Sequence, residues 1–415
     1  MESGGGGVRV RRLGGTRAGE IRLTRFLRNP SVTPEEMLSE AADQLSRRCA
    51  SRGVLAIQDT TVVRSSGGGG DYLHVVLAVD ADDGAILGLL HADFLSRSSG
   101  RKQTRHDRPV EEKESWRWLE GAQRAASICS AARGITVIAD RESDIYEAFA
   151  RRPTGVDLVV RAAQDRSLDD GGRLFATVDA LKEAGRTEVT LPAQPGRPAR
   201  KAVLAVRFMG TTLSPPKNGC RSNDDARGTA VSLIDLREET APEGQKPLHW
   251  RLLTTAKVEN LVDALATADL YRRRWAIEQL FRTMKTQGFD VEGIRIGDNA
   301  PRNKLILAAL IAAVAVQQLV HARDGGLQPS RPMTDAFAAD DWPILQAFCR
   351  KLEGKTARQK NPHPEESLAY AAWVCARLGG WTGYYGKPGP IVMLNGWLYF
   401  QAAKHGATLF TLPNV

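Results

Sequence analysis

The segment from Tyr271 to Lys285 carries four polar or charged side chains at helical spacing. Measured from Tyr271, the offsets to Arg274, Glu278 and Lys285 are three, seven and fourteen residues. At about 100° per residue, all four lie within roughly 60° of one another on a helix. Such a face combines cations that can hold a phosphate with a carboxylate that can help to hold a divalent ion. The same pattern is typical of a solvated basic helix with one internal salt bridge. The segment alone therefore does not distinguish a phosphate- and metal-binding face from an ordinary surface helix.

Two further carboxylates follow apolar runs that predict buried strands. Asp59 follows VLAIQ, and Asp140 follows ITVIA. An aspartate that closes an apolar strand is costly unless it is paired, hydrogen-bonded or bound to metal. Either one alone is more simply a turn-capping or salt-bridged aspartate. Together with Glu278 they form a set of acids that can hold two divalent ions about 4 Å apart, and such a pair of ions assists phosphoryl displacement. Because all the ligands are oxygens, Mg²⁺ or Mn²⁺ is favoured over zinc.

Other chemistries have less support in the sequence. Glycoside hydrolysis also uses two carboxylates, but it does not explain the cations around Glu278. The histidines form no H-E-x-x-H motif or close pair, and no serine lies in a G-x-S-x-G motif. The five cysteines are scattered without a C-x-x-C pair, which argues against a zinc site or a disulfide framework and is typical of a reducing cytoplasm.

The overall composition is that of a basic globular protein. A net charge of +9 and a pI near 9.4 favour a polyanionic partner such as nucleic acid, although many basic proteins bind none. The start, MESGGGGVRVRR, lacks the apolar stretch of a secretory signal. The longest apolar run, Leu305 to Val316, is shorter than the roughly 20 residues of a membrane span and predicts a buried helix. We therefore expect a soluble, intracellular protein without a membrane partner.

The elements that would position the acids can be predicted in order. The first 20 residues are rich in Gly and Arg and are expected to be disordered. A Thr-x-x-Glu capping box at Thr33 predicts a helix from Pro34 to about Cys49. The sequence then predicts a helix within 111–132 and strands at 54–63, 74–80, 84–95, 134–140 and 157–162. SSGGGG at 65–70 is interpreted as a hairpin connection, because no Gly-Lys-Ser/Thr follows it.

The second half of the chain changes character twice. Residues 163–249 are β-branched or alternating and rich in Pro and Gly turns, which predicts an all-β insertion. A strand at 249–255 and one helix from about Val258 to beyond Lys285 follow, and the chain after 301 is mainly helical. The predicted divisions are a short arm and helix at 1–50, a core at 51–162 and 250–322, the insertion at 163–249 and a helical region at 323–415.

The spacing Tyr271-x₂-Arg274-x₃-Glu278-x₆-Lys285 resembles the Y-x₂-R-x₃-E-x₆-K signature of the IS-four family of DDE transposases. Further segments resemble that family in the same order: RFLRNPSV, AIQDTT, EEKES, ADRESDIY, GRPARKA, WRLLTT and AYAAWVCARLGGW. The resemblance extends from about residue 24 to 405. It implies an α/β fold, namely an RNase H-like mixed-sheet core with a β-rich insertion and a C-terminal helical region that dimerises.

The resemblance also implies roles for individual residues. Asp59, Asp140 and Glu278 would be the catalytic, metal-binding acids for two Mg²⁺ or Mn²⁺ ions. Tyr271, Arg274 and Lys285 would hold the phosphate of the nontransferred strand. Trp250 matches a tryptophan that receives a flipped base, although without the family it is interpreted as a core aromatic. Trp275 and Arg161 are weaker matches to residues near the DNA.

The implied reaction is cut-and-paste transposition of an insertion sequence. Water nicks the element's end, the freed 3′-hydroxyl forms a hairpin on the opposite strand, water reopens the hairpin, and the 3′-hydroxyls join target DNA. The implied partners are the terminal inverted repeats, target DNA and a second subunit, in a prokaryotic cytoplasm near the nucleoid. Two alternatives stay open: an RNase H-fold nuclease without strand transfer, and a non-transposing, DNA-binding remnant. The second arises because family members carry a longer helical DNA-recognition segment, whereas only 24 residues precede RFLRNP.

Overall fold

The computed structural model describes residues 8–66, 69–97, 110–191, 198–216, 228–286, 288–326 and 330–411. One sheet of nine strands forms its centre, in the order β3-β2-β1-β4-β5-β9-β8-β7-β6. The pairings of β1 with β4 and of β4 with β5 are parallel, and the other pairings are antiparallel. The strands are β1 (Gly53–Ser66), β2 (Gly69–Asp80), β3 (Ile86–Arg97), β4 (Gly134–Ala139), β5 (Val156–Arg161), β6 (Gly185–Leu191), β7 (Arg200–Leu213), β8 (Thr229–Glu238) and β9 (His249–Thr254).

Helices cover both faces of the sheet and form the C-terminal part of the chain. They are α1 (Val10–Gly14), α2 (Arg17–Arg28), α3 (Pro34–Cys49), α4 (Trp116–Ile128), α5 (Tyr146–Ala150), α6 (Leu174–Asp179), α7 (Leu261–Arg272), α8 (Trp275–Met284), α9 (Asn299–Ala322), α10 (Trp342–Leu352), α11 (Leu368–Leu378) and α12 (Pro390–Thr411). The predicted mixed α/β architecture is confirmed. The capping box at Thr33 and Glu36 that predicted α3 is present.

The alternation of side chains along β1 divides the core between the two faces. Leu55 and Ile57 pack on the face that carries α7, α8 and α9. Val54 and Ala56 pack on the opposite face, against α4 and α5. A third apolar cluster joins the end of α9 to α10, α11 and α12. The acid that follows Ile57 by two residues must therefore lie on the same face as α8.

Helix α9 connects the sheet to the C-terminal helices. By length and composition it could cross a membrane, but 67% of its most apolar window is buried inside the protein. Its buried residues include Arg302, Lys304 and Gln317, whose polar atoms bond within the fold. Helix α9 is therefore a buried core helix, as was predicted from the apolar run at 305–316.

Two of the predictions for individual segments were wrong. Part of the first 20 residues is helical rather than disordered, since α1 lies there and α2 begins there; Thr16 caps α2 and Leu27 packs its end into the core. Residues 163–249 are not all-β, since they contain α6, and their strands extend the central sheet. The predicted hairpin is formed, with Ser66 opposite Gly69, but its connection at 67–68 lies outside the described residues. How the chain divides into domains stays a prediction.

The predicted single helix through Tyr271 is also wrong, because the chain forms two helices there. Helix α7 ends at Arg272 and α8 begins at Trp275. The amide hydrogens of Arg273, Arg274, Ala276 and Ile277 each bond to the carbonyl three residues earlier rather than four. Such a tight turn advances each residue by about 120° instead of about 100°, so the predicted alignment of Tyr271 with Lys285 is not kept. Lys285 itself follows the end of α8.

Candidate active site

Asp59 lies in the middle of β1 rather than at its end. The parallel pairing with β4 stops at Ile57, but the antiparallel pairing with β2 continues through Asp59 and Val75 to the hairpin. The side chain of Asp59 is 17% exposed. Its Oδ1 accepts a hydrogen bond from the backbone N–H of Thr60 at 2.8 Å. The carboxylate is thus held on the α8 face of the sheet, beside the carboxyl end of β4.

Asp140 directly follows β4, as predicted. Its Oδ1 accepts a hydrogen bond from the backbone N–H of Glu142 at 2.9 Å and caps the short 3₁₀ turn Arg141–Ser143. Because β4 runs parallel to β1 and pairs with it up to Ile57, Asp140 emerges next to Asp59. The two carboxylates are close enough to repel each other electrostatically.

Glu278 lies in the first turn of α8 and reaches the same place from the helical side. The guanidinium of Arg274 joins it to the sheet. Nη1 of Arg274 donates to Oδ2 of Asp59 at 2.8 Å, and Nη2 donates to Oε1 of Glu278. All three side chains are mostly buried. A strand acid and a helix acid therefore share one cation, and the acid at the strand end acts on that cation electrostatically.

The surroundings of Asp59 raise the pKa of its carboxyl to about 6. Burial is the largest cause, and the negative charges of Asp140 and Glu278 act in the same direction. Arg274 and the Thr60 N–H oppose the shift without cancelling it. In the absence of metal, Asp59 is therefore mainly protonated below about pH 6 and mainly ionised above it.

This shift predicts a pH-dependent stability of the metal-free protein. Because the folded pKa lies above the ordinary value of 3.8, the native state binds more protons than the unfolded state between the two values. The stabilisation is complete below the unfolded pKa and is lost as the pH rises through the folded pKa. In EDTA, the unfolding free energy of the wild type should therefore fall relative to Asp59→Asn by about 3 kcal/mol at most between about pH 4 and pH 7. Urea unfolding at a series of pH values measures this difference, and parallel curves for the two proteins would contradict it.

An aromatic and cationic layer adjoins the acids on the β9 side. Tyr271, at the end of α7, is buried, and burial raises the pKa of its hydroxyl despite the nearby guanidinium groups of Arg274 and Arg161. The ring of Trp250 meets Tyr271 edge-on, with 6.0 Å between centroids. Arg161 bonds to Tyr271 and to the carbonyl oxygen of His249. The sequence-predicted residues Tyr271, Arg274, Trp250 and Arg161 thus lie together.

Two other predicted residues are oriented away from this cluster. Lys285 pairs with Glu292 at 2.8 Å. Trp275 is 42% exposed and packs under the guanidinium of Arg282. Beyond Lys285, a groove of about 670 Å³ is lined by Arg64, Glu292, Gly293, Ile294, Arg295 and Gly297. In the described part of the chain neither Arg64 nor Arg295 has an ion-pair partner, so the groove presents uncompensated positive charge.

Sequence reasoning missed a buried polar network on the other face of β1. Arg117 of α4 donates to Thr60 Oγ1 and to Glu142 Oε2, so it links the segments that carry Asp59 and Asp140. Below it, His74 bonds to Thr60 and Gln58 at 3.0 and 3.2 Å. A structural role for His74 was predicted correctly. The segments EEKES and ADRESDIY contain part of this network, but nothing in their spacing indicates that they meet.

Close packing of α4 against the sheet holds this network in place. A Cβ at Gly121 would lie 2.6 Å from Oε1 of Gln58 and 2.9 Å from Val76. A larger residue there would push α4, and with it Arg117, away from β1. The close approach of α4 to the sheet therefore requires glycine at position 121.

The three acids suit a hard divalent cation in the chemistry of their donors, which are all carboxylate oxygens. Their arrangement, however, is closed around Arg274. Across the residues that the structure describes, no group of three or more His, Cys, Asp or Glu side chains is placed to hold a metal ion. A metal between Asp59 and Glu278 would lie where the Arg274 guanidinium now bridges Asp59 Oδ2 and Glu278 Oε1.

Comparison with known protein families gives an independent result. Residues 54–314 match the family described as transposase DDE domain. The match covers more than half of the 415 residues. It begins at the start of β1 and ends within α9, so it contains Asp59, Asp140 and Glu278.

Proposed function

The chain belongs to the DDE transposase family, and we propose that it is a cut-and-paste transposase of an insertion sequence in the IS-four group. Membership of the family implies nuclease or transposase chemistry on DNA. The observation that carries the finer proposal is the convergence of Asp59, Asp140 and Glu278, from two strands and a helix, around a single cation. These three residues are far apart in the sequence, and they are the same three acids that the family resemblance implies as metal ligands.

The acids would hold the divalent ions that DDE transposases normally use, here two Mg²⁺ or Mn²⁺. Bound ions would lower the pKa of the attacking water or 3′-hydroxyl and stabilise the leaving oxygen. The chain itself would supply the ligands and their orientation. Thr60 N–H and Glu142 N–H orient Asp59 and Asp140, and Arg117 ties the two segments together. Nicking, hairpin formation, hairpin opening and strand transfer are all in-line displacements, so one site can serve each step in turn.

The surrounding cations would hold the DNA backbone. Arg274 offers a planar pair of donors that matches a phosphate, and Lys285 can release Glu292 to do the same as a point charge. Arg64 lies on β1 five residues beyond Asp59, about 16 Å along the strand. Its groove with Arg295 extends the positive surface away from the acids. A duplex held along this line would bring one phosphate to the acids and the next phosphates to the groove.

Trp250 would receive a base turned out of the duplex end during hairpin formation. It is half-buried, and its edge-on contact with Tyr271 fixes the ring beside the phosphate-binding residues. Stacking on an indole offsets part of the cost of removing a base from the helix. Trp275, exposed on α8, and Arg161, beneath Tyr271, are proposed as further DNA contacts.

We expect Trp250→Ala to reduce hairpin formation more than the first nick. The loss of a stacking contact worth about 1–3 kcal/mol corresponds to a roughly 10-fold lower hairpin yield. Gel analysis of nicked and hairpin products from one labelled duplex separates the two steps. Trp250→Phe, which keeps an aromatic face, should retain most of the yield, and Trp381→Ala in the C-terminal region serves as the control. Equal losses in both steps would contradict a base-stacking role.

The proposed second subunit would bind through the C-terminal helices. Helix α12 exposes three large apolar side chains, Ile391, Leu398 and Tyr399, and Tyr384 and Tyr385 precede it with exposed rings. Exposed apolar groups on one helical part of a protein are typical of an interface. A homodimer would hold the two element ends together before they are joined to target DNA.

The test is an assay on duplexes that carry the element's terminal repeat, intact and pre-nicked, with Mg²⁺. A transposase yields nicked, hairpin and strand-transfer products. Nicked product without hairpin or strand transfer would identify an RNase H-fold nuclease instead. A specific shift in an electrophoretic assay without any product would identify a DNA-binding remnant. Either of these outcomes contradicts the proposal.

A further inference from the structure

Arg274 occupies the position that a metal ion would need. Its guanidinium contacts Asp59 Oδ2 at 2.8 Å and also contacts Glu278 Oε1, while Asp59 Oδ1 already accepts the Thr60 N–H. Each oxygen of Asp59 therefore already has one hydrogen-bond partner in the folded protein. A cation that binds between Asp59 and Glu278 must take the place of the Arg274 side chain.

The metal-free fold has a physical reason to place an arginine here. Asp59 and Glu278 are mostly buried, Asp140 lies near enough to repel Asp59, and like charges in such a place are unfavourable. Arg274 provides a permanent positive charge with two donors in a fixed fork. It neutralises the acids as long as no ion is bound.

We propose that Arg274 is a tethered counter-cation that is exchanged between the acids and a DNA phosphate, so that metal and DNA bind cooperatively. This inference rests on the proposed function for the DNA partner, but the competition with metal follows from the contacts alone. When a divalent ion takes the acids, the guanidinium is released with its charge unpaired. A phosphate next to the acids is its best new partner, because it accepts the same bidentate contact as a carboxylate.

The position of Arg274 in the chain permits this exchange. It lies in the tight turn between α7 and α8, whereas Glu278 lies within α8 and Asp59 within the sheet. The acids are thus fixed by regular structure, and the arginine is the long, rotatable member of the group. A change of side-chain rotamers moves the guanidinium by several ångströms without moving a helix.

Thermodynamic linkage predicts that metal binding and DNA binding strengthen each other. A phosphate that draws Arg274 away from the acids raises their affinity for metal, and metal raises the affinity for DNA by the same factor. The competition from Arg274 would give the DNA-free protein a low affinity for metal. The metal ions would bind once an element end is bound.

The test measures Mn²⁺ binding rather than catalysis. Electron paramagnetic resonance of free Mn²⁺ is recorded for the wild type, Arg274→Gln and Arg141→Gln, without DNA. Arg141 follows Asp140 and is exposed, so its replacement removes one nearby charge without opening a contact to Asp59 or Glu278. We expect Arg274→Gln to bind Mn²⁺ at least roughly 10-fold more tightly than the wild type, and Arg141→Gln to change the affinity much less, because only Arg274 competes for the ligand atoms. A terminal-repeat duplex should then tighten Mn²⁺ binding by the wild type by a similar factor, and by Arg274→Gln much less.

Each other result has a defined meaning. Equal or weaker Mn²⁺ binding by folded Arg274→Gln, or equal gains for both arginine variants, would overturn the exchange while leaving the proposed function intact. No saturable Mn²⁺ binding by any of the proteins, with or without DNA, would overturn both the metal site and this inference. Circular dichroism confirms folding. Arg274→Lys, which keeps a single cationic donor, should bind Mn²⁺ with intermediate affinity, and an affinity equal to that of Arg274→Gln would count against the exchange.

Discussion

Replacement of Glu278 by glutamine is expected to slow Mg²⁺-dependent cleavage of the element end by at least roughly 10³-fold, on the order of 4 kcal/mol of transition-state stabilisation. Glutamine keeps the size of the side chain and can still accept a bond from Arg274. It removes the negative charge that helps to hold a divalent ion beside Asp59 and Asp140. The loss should therefore affect every product, from the first nick to strand transfer. Single-turnover rates on a pre-nicked duplex measure the chemical step directly.

The control for Glu278→Gln is Glu259→Gln, which changes an exposed glutamate in front of α7 that pairs with Lys257. It should leave the rate unchanged. DNA binding by Glu278→Gln should be as strong as in the wild type or stronger, since a negative charge near the phosphate is removed. A cleavage rate within a few-fold of the wild type would refute the assignment of Glu278 as a metal ligand.

Replacement of Arg331 by methionine is expected to lower the unfolding free energy by about 3 kcal/mol. Arg331 is 4% exposed and donates to Asp80 at 2.6 Å and to both oxygens of Asp83. Burial raises the pKa of the Asp80 carboxyl, but the bonds from Arg331 and Arg52 lower it more, so that it stays below its ordinary value. Methionine fills the space but leaves Asp80 buried with one arginine instead of two.

Urea unfolding of Arg331→Met against Arg350→Met measures this effect. Arg350 is exposed on α10, so its replacement removes a charge from the same helical region at little expected cost. The side chain of Arg331 joins the β2–β3 turn to the segment between α9 and α10, and a similar small loss in both variants would show that this link contributes little to stability.

The three acids could be predicted from the sequence because their local signals combine with one another and with the family resemblance, whereas none of these signals is decisive alone. Asp59 and Asp140 follow apolar β-branched runs, and Glu278 lies in a charged helix with fixed spacing to Arg274. The side of the sheet also follows from alternation, since Leu55, Ile57 and Asp59 share one face. These signals are local periodicities, which a single sequence records directly.

The bridge through Arg274 could not be found in this way. It depends on the tight turn at Arg273 and Arg274, and a run of three arginines contains no glycine or proline to indicate a break. The turn is held by tertiary contacts instead, because Arg273 donates to the carbonyl oxygens of Asp80 and Asp82 in the β2–β3 turn. The helices at 10–28 were missed for a similar reason, since a glycine- and arginine-rich stretch folds only where the core receives Leu27.

The ion pair between Asp59 and Arg274 spans 215 residues of the chain. At a synthesis rate of roughly 5–20 residues per second, a ribosome adds that stretch in about 10–40 s. Within this interval the chain first reaches Asp140 at the end of β4 and only later α8 with Glu278. Between these two points the nascent chain carries two of the three predicted acids without the third. A chain whose translation stops before α8 therefore lacks both Arg274 and the proposed third metal ligand.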